Sequence, residues 1–181
     1  MQTDIDQLID LINQNLNKKL DFYTTTDNIS VIENNLKTQL KQYVKAIEQL
    51  RINEYLNSKS KKRKMVFIDY NTFTACAIGA KYFNIGAYGT SHGYLLNYGV
   101  FMPLFNKLKK IGQIGRRSNK NIIKGKRNFV GKCAEVKASY AINKKNRITN
   151  ISDIEFTKAY RPRTMQTIKR CNNCVYIFGN V

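Results

Sequence analysis

Three cysteines and a glutamate constrain the fold of this chain more than anything else in it: Cys133-Ala134-Glu135, and Cys171-Asn172-Asn173-Cys174 near the end. For all three thiolates to hold one metal ion, the segment around Cys133 must fold onto the segment around Cys171. Two cysteines separated by two residues can reach one ion from a loop or from the first turn of a helix. Three protein ligands leave the fourth tetrahedral position open, as catalytic zinc sites usually do. A carboxylate two residues from a ligand stays near the ion without binding it, which is the position wanted for a general base acting on water. Other readings remain. A redox Cys-x-x-Cys pair would leave Cys133 and Glu135 without a part, and a structural zinc could be closed by His92, the only histidine. Cys76, within Thr74-Ala75-Cys76-Ala77-Ile78, reads as a small buried apolar residue.

Charge divides the chain in two. Residues 1–57 carry eight acidic and six basic side chains, whereas residues 58–181 carry four acidic and twenty-five basic, a net +21. No acid occurs from Tyr70 to Ala134. Such a surface repels itself unless an anion lies against it, and lysines and arginines gain affinity by displacing counterions from a phosphate backbone. Nucleic acid is the expected partner. Residues 107–127, with nine basic residues interrupted by Gly112, Gly115 and Gly125, read as mobile loops suited to holding a single strand. The sequence contains no apolar run of membrane-spanning length, and its N-terminus does not resemble a signal peptide. The four cysteines are too few for a disulfide scaffold and suit a cytosol-like compartment.

Apolar residues at three- and four-residue steps organise the N-terminal part. Ile5, Leu8, Ile9, Ile12, Leu16 and Leu20 predict one helix, and Ile32, Leu36, Leu40, Val44, Ile47 and Leu50 a second. Ser30-Val31-Ile32-Glu33 has the form of a capping box, and residues 22–29 form the turn between the helices. Residues 1–57 are thus expected to be a helical hairpin whose stripes bury each other, or a segment leading into the rest of the chain with one stripe packed on the following domain or a partner; 58–64 is a basic linker and 65–181 the expected catalytic domain. Met65–Tyr70 predicts a strand, and Gly86, Gly89, Gly93 and Gly99, read as turn residues, punctuate an aromatic-rich stretch of turns or hairpins where Tyr82, Phe83, Tyr88, Tyr94 and Tyr98 are core or stacking residues. A helix is expected from Cys133 to about Asn143, a strand over 154–160, and a short helix opening at Cys171.

Gly131-Lys132-Cys133-Ala134-Glu135, Arg161-Pro162-Arg163-Thr164-Met165 and Cys171-Asn172-Asn173-Cys174 together resemble the zinc nucleobase deaminases, which carry a His or Cys, a Glu and a later Cys-x-x-Cys. Among these the chain is most similar, over its last third, to the YwqJ-like deaminases of polymorphic bacterial toxins. Two departures stand out. Arg170 replaces the proline that commonly precedes the paired cysteines, and seven residues follow Cys174, so the elements usual after this motif must be short or missing. The resemblance implies an α/β fold, a cytidine-deaminase-like sheet with metal-bearing helices on one face, here preceded by the helical hairpin. It implies zinc on Cys133, Cys171 and Cys174, with Glu135 as acid and base. Arg161, Arg163, Lys169 and Arg170 flank the motif as candidate phosphate contacts, and His92 is a pocket candidate. It further implies hydrolytic deamination of a base in DNA or RNA by a toxin effector found in the cytoplasm of the producing or target cell, secreted or delivered as part of a toxin, and neutralised by an acidic immunity protein. The rivals are a nuclease toxin with structural cysteines and a zinc-stabilised nucleic-acid-binding module closed by His92.

Overall fold

The computed structural model describes residues 4–19, 23–24, 27–57, 73–92 and 101–180. Strand β2 (Ala77–Tyr82) runs antiparallel to β3 (Ile85–Thr90) across a two-residue turn, with Ile78 opposite Gly89, Ala80 opposite Ala87 and Tyr82 opposite Ile85. Side chains alternate along a strand, so these pairs face one side of the sheet while Ala77, Gly79 and Tyr88 face the other.

Helix α2 (Ile29–Asn57) covers this second side. Its Ile32, Leu36, Leu40, Tyr43 and Ile47 form one buried stripe against Ala77, Tyr88 and Tyr160. Helix α1 (Asp4–Lys19) lies on α2 through Ile9 and Ile12 and through the Tyr43 hydroxyl, which donates to Asn13. The hairpin's apolar stripe thus closes on the sheet as well as on itself. The capping box does not form. The Asn28 side chain accepts the Val31 N–H at 3.0 Å instead. Glu33 turns toward the sheet, where it accepts from the Tyr160 hydroxyl and the Lys158 N–H and pairs with Lys37 at 3.0 Å. The connection between the helices, expected as a simple turn, contributes strand β1 (Tyr23–Thr24) to the edge of β3. The expected linker 58–64, the strand Met65–Tyr70, and Gly93, Tyr94, Tyr98 and Gly99 lie outside the described residues.

Helices α3 (Met102–Ile111), α4 (Ala134–Lys145) and α5 (Asn172–Phe178) gather on the first side. Leu104, Leu108 and Ile111 of α3 join Ala134, Val136, Ala138 and Ile142 of α4 in one core with Ile78, Ala80 and Ala87. Small residues on both surfaces let α4 lie unusually close. A Cβ placed on Gly89 would fall 2.0 Å from the Ala134 carbonyl oxygen and 2.6 Å from the Ala138 nitrogen. Gly86 and Gly89 are therefore strand residues rather than turn residues, and Gly89 is the seat of the helix. The basic segment also differs from expectation: its first part is α3, begun by Pro103 with lysines in its last turn, and residues 113–132 are fastened back on themselves. Gly115 N–H donates to Val130 O at 3.0 Å, Val130 N–H to Arg116 O at 2.8 Å, and Ser118 N–H to Asn128 O at 3.1 Å.

The strand expected over 154–160 is interrupted. Strand β4 (Glu155–Phe156) pairs with β2 at Lys81 and Ala80, but β5 (Ala159–Tyr160) pairs at Ala77, one residue out of step. The extra residue makes a bulge at Thr157-Lys158, where Thr157 Oγ1 accepts the Gly79 N–H at 2.9 Å. Strand β6 (Thr167–Ile168) pairs with β5 and leads into α5. Among the described residues the six strands form one antiparallel sheet ordered β1-β3-β2-β5-β6, with β4 beside β2. The fold is mixed α/β, with helices on both faces of that sheet. None of the described helices is long and apolar enough to cross a membrane.

Two predictions follow from this packing. Gly89→Ala pushes a methyl group into helix backbone that cannot rotate aside, so stability falls by about 3 kcal/mol in denaturant titration; a midpoint equal to wild type would refute the close seating of α4. Burial works against ionisation of Glu33, but hydrogen bonds from Tyr160, Lys37 and the Lys158 backbone outweigh it and lower its pKa. A carboxyl depressed in the folded state stabilises above its unfolded value and loses that contribution as pH falls through the folded value. Glu33→Gln should cost about 1 kcal/mol or less at pH 7, and the difference from wild type should shrink toward zero below pH ~4.

Candidate metal centre

Both metal-binding segments reach the centre at the start of a helix. Gly131, at φ 82°, turns the chain so that Cys133 caps α4 in extended backbone, and Cys171 caps α5 in the same way. Cys174 lies one turn further along α5 and is fully buried. The three sulfurs all lie within 4.8 Å of one another, and Cys133 Sγ and Cys171 Sγ are 3.4 Å apart. Sulfurs bound to a tetrahedral ion at ~2.3 Å sit ~3.8 Å apart, so the spacing suits a shared metal with little movement. Among the described residues these three cysteines are the only His, Cys, Asp or Glu donors close enough together to share an ion. His92 does not close the set. The cysteines can hold a metal ion, and the donor set leaves a coordination position for something else.

Three thiols this close share charge. Hydrogen bonds from Cys133 and Cys174, helped by Asn128 and the Cys174 backbone, hold the Cys171 thiol far below its ordinary range. The hydrogen bond to Cys171 pushes Cys133 up, and burial does the same to Cys174. The three thiols therefore ionise as one coupled set, Cys171 most readily. A cation among them would favour the thiolate form of all three.

Glu135 occupies the first turn of α4 and is only 4% exposed. Burial raises its pKa, while Arg170, whose Nε lies 3.9 Å from Glu135 Oε1, works in the other direction. Beside the sulfurs and Glu135 opens a cavity of about 550 Å³. That size is usual for a small-molecule site. Lys126, Lys132, Arg161 and Lys169 line it, and among the described residues Glu135 is the only acid in the lining. Phe73 and Phe129 also line it.

The expected contact residues divide. Arg161 and Lys169 are exposed and line the cavity. His92 also lines it, held below its ordinary pKa by burial and by the Lys137 ammonium, and its carbonyl accepts from Lys137 Nζ. Arg163 instead lies over the Phe73 ring at 5.5 Å from its centroid. Arg170 turns inward: its guanidinium packs on Phe156 and Phe178, and Nη1 donates to Gly179 O at 2.8 Å. An arginine anchored in that way is not available to a phosphate. Cys76 packs against the core as expected and also forms part of the cavity wall, its thiol pushed up by burial. Of the expected aromatics, Tyr82 and Tyr88 are core and Phe83 is exposed on the turn. Lys126 belongs to the basic segment 107–127 already singled out, whereas the sequence reading missed Phe73, Phe129 and Lys132; Lys132 and Phe129 stand one and four residues before Cys133, and that proximity was the available signal.

No protein-family model, curated protein or solved structure matches the chain.

The purified protein should carry one metal ion per chain by elemental analysis. Cys133→Ser, Cys171→Ser and Cys174→Ser should each reduce that content severely while His92→Ala leaves it unchanged. Loss of metal in His92→Ala would mean a closed, four-ligand site.

Proposed function

We propose that the protein is a zinc-dependent deaminase acting on a base in nucleic acid. The observation that carries the reading is the placement of a buried glutamate beside three clustered thiols at a cavity that Lys126, Lys132, Arg161 and Lys169 also line. The order of elements supports it too. A helix capped by Cys133 and carrying Glu135, then three short strands, then a helix capped by Cys171 and carrying Cys174, with both helices packed on one core, is compatible with the arrangement that the sequence resemblance implies.

Zinc held by Cys133, Cys171 and Cys174 would supply Lewis-acid activation of water. Glu135 accepts the proton that water gives up and delivers it to the ring nitrogen as the new C–O bond forms at the amino-bearing carbon. It then assists proton transfer to the departing nitrogen, so that the C–N bond breaks, ammonia leaves and one water is consumed. The cavity excludes bulk solvent from Glu135, and Arg170 holds one side of its carboxylate. Lys126, Lys132, Arg161 and Lys169 are placed to take the phosphates on either side of a base inserted into the cavity. Action as a toxin effector on the nucleic acid of a target cell, with an acidic immunity protein as antidote, is the setting that the resemblance adds.

The test is direct. Single-stranded and duplex DNA and RNA are incubated with wild type and with Glu135→Ala, then scored for base conversion by sequencing and for breaks by gel. Conversion should occur on at least one polymer and drop by at least ~100-fold in the variant. Conversion that survives Glu135→Ala would sink the mechanism, and strand scission without conversion would replace the deaminase with a nuclease.

A further inference from the structure

The two residues between the paired cysteines have work of their own. Asn172 donates its side-chain amide to Lys124 O at 2.6 Å, and Asn173 donates to Asn128 O at 3.0 Å. Asn128 answers from the other direction, its side chain hydrogen-bonding the Cys171 sulfur. Asn173 is 1% exposed, and Gly125, at φ 74°, lies so close that an added Cβ would stand 3.2 Å from Asn172 Nδ2. Three side-chain hydrogen bonds thus join the first turn of α5 to residues 124–128. These residues belong to the fastened segment 113–132, which carries seven basic residues and no acidic one.

We infer that the basic segment is a single-stranded nucleic-acid surface whose shape is set by the metal centre, with Asn172 coupling the two. The inference rests on the polymer substrate of the proposed function and adds how its binding is controlled. Helix α5 has seven residues, too short to be stable by its own hydrogen bonding. An ion drawing Cys171 and Cys174 onto one tetrahedral edge fixes the turn from which both asparagines project. Their amides then hold the Lys124 and Asn128 carbonyls, and the side chains beside them, Lys126 and Lys132 included, face the cavity in one arrangement. Without the ion that turn frays, and the phosphate contacts must pay for their own ordering. Coupling between two sites through such an element commonly amounts to about 5- to 150-fold in affinity, and it is reciprocal.

The experiment uses the full chain, stripped with a chelator or loaded with one equivalent of zinc. Fluorescein-labelled single-stranded DNA and RNA of one sequence report binding by anisotropy at fixed salt, and competition with a chromophoric chelator reports zinc affinity. In wild type, zinc should tighten oligonucleotide binding at least about fivefold, and oligonucleotide should tighten zinc by the same factor. Asn172 is exposed, so Asn172→Ala should fold and bind one zinc per chain, with the coupling factor falling toward one. Equal factors in the two proteins would overturn the inference, and so would an indifference of wild-type binding to zinc. Zinc that merely bridged protein to phosphate would act equally on both proteins and count against it. Loss of zinc from Asn172→Ala would overturn it as well, because the amide would then serve the metal site alone. Failure of both oligonucleotides to bind in either state sinks this inference together with the polymer substrate, whereas zinc-independent binding sinks this inference only.

Discussion

The backbone of α4 rests directly on β3 at Gly89, and the position of the metal centre depends on that contact. A helix normally stands off from a sheet by the thickness of its side chains. Here Gly89 on the strand and Ala134 and Ala138 on the helix remove that thickness, so the Ala134 carbonyl oxygen occupies the space where a side chain on residue 89 would be. The first turn of α4 is thereby fixed against the sheet, with Cys133 at its cap and Glu135 pressed into the interior. The second pair of cysteines reaches the same place by a different device. The bulge at Thr157-Lys158 shifts the register of the third strand, and the following turn and β6 carry the chain to the start of α5. A core of modest side chains is enough because the elements are held at backbone distance.

Much of the centre could be read from sequence because its chemistry is written in rare residue types. Four cysteines, one histidine and an acid-free stretch of basic sequence leave few ways to assemble a metal site with a carboxylate. The helical hairpin was equally plain, since Ile32, Leu36, Leu40 and Ile47 keep the helical period. The sheet was not. Strands β2 and β3 are built from Ala77, Gly79, Ala80, Gly86, Ala87 and Gly89, residues with weak preference for strands, and their size reflects the helix lying over them. Helix α3 was hidden by its lysines, although Pro103 and the spacing of Leu104, Leu108 and Ile111 mark it. Glycines at 112, 115 and 125 suggested mobility in the basic segment, yet the backbone hydrogen bonds between its two arms lie beyond any local pattern.

Arg170 shows why flanking a motif does not fix a side chain's role. A basic residue next to a metal-binding cysteine is an obvious phosphate ligand on charge alone. Its surroundings decide otherwise: two phenylalanine rings, the Gly179 carbonyl and the Glu135 carboxylate together satisfy the flat face, one edge and the charge of its guanidinium. Lysine could not replace it in all three respects. The cation beside the paired cysteines thus faces the proposed base, and the same side chain ties down the end of α5.

Charge balance explains why so basic a domain suits this particular centre. With a divalent ion bound, three thiolates and a carboxylate would bring four negative charges into a nearly buried space, and removing such charges from water is costly unless cations accompany them. The ion and Arg170 would offset three, leaving one for the positive charge around the first turn of α4. Lys132 precedes Cys133, and Lys137 is half-buried one turn further on, its pKa brought down to about 8 by burial and, next, by Lys132. A histidine in place of one cysteine would lighten that burden by one charge, so the all-thiolate set and the positive surroundings belong together. Some of the positive charge read from the sequence as a nucleic-acid surface therefore faces inward, toward the centre. The exposed cations, Arg161 and Lys169 with Arg116, Arg117, Lys120, Lys124 and Lys126, take no part in that balance.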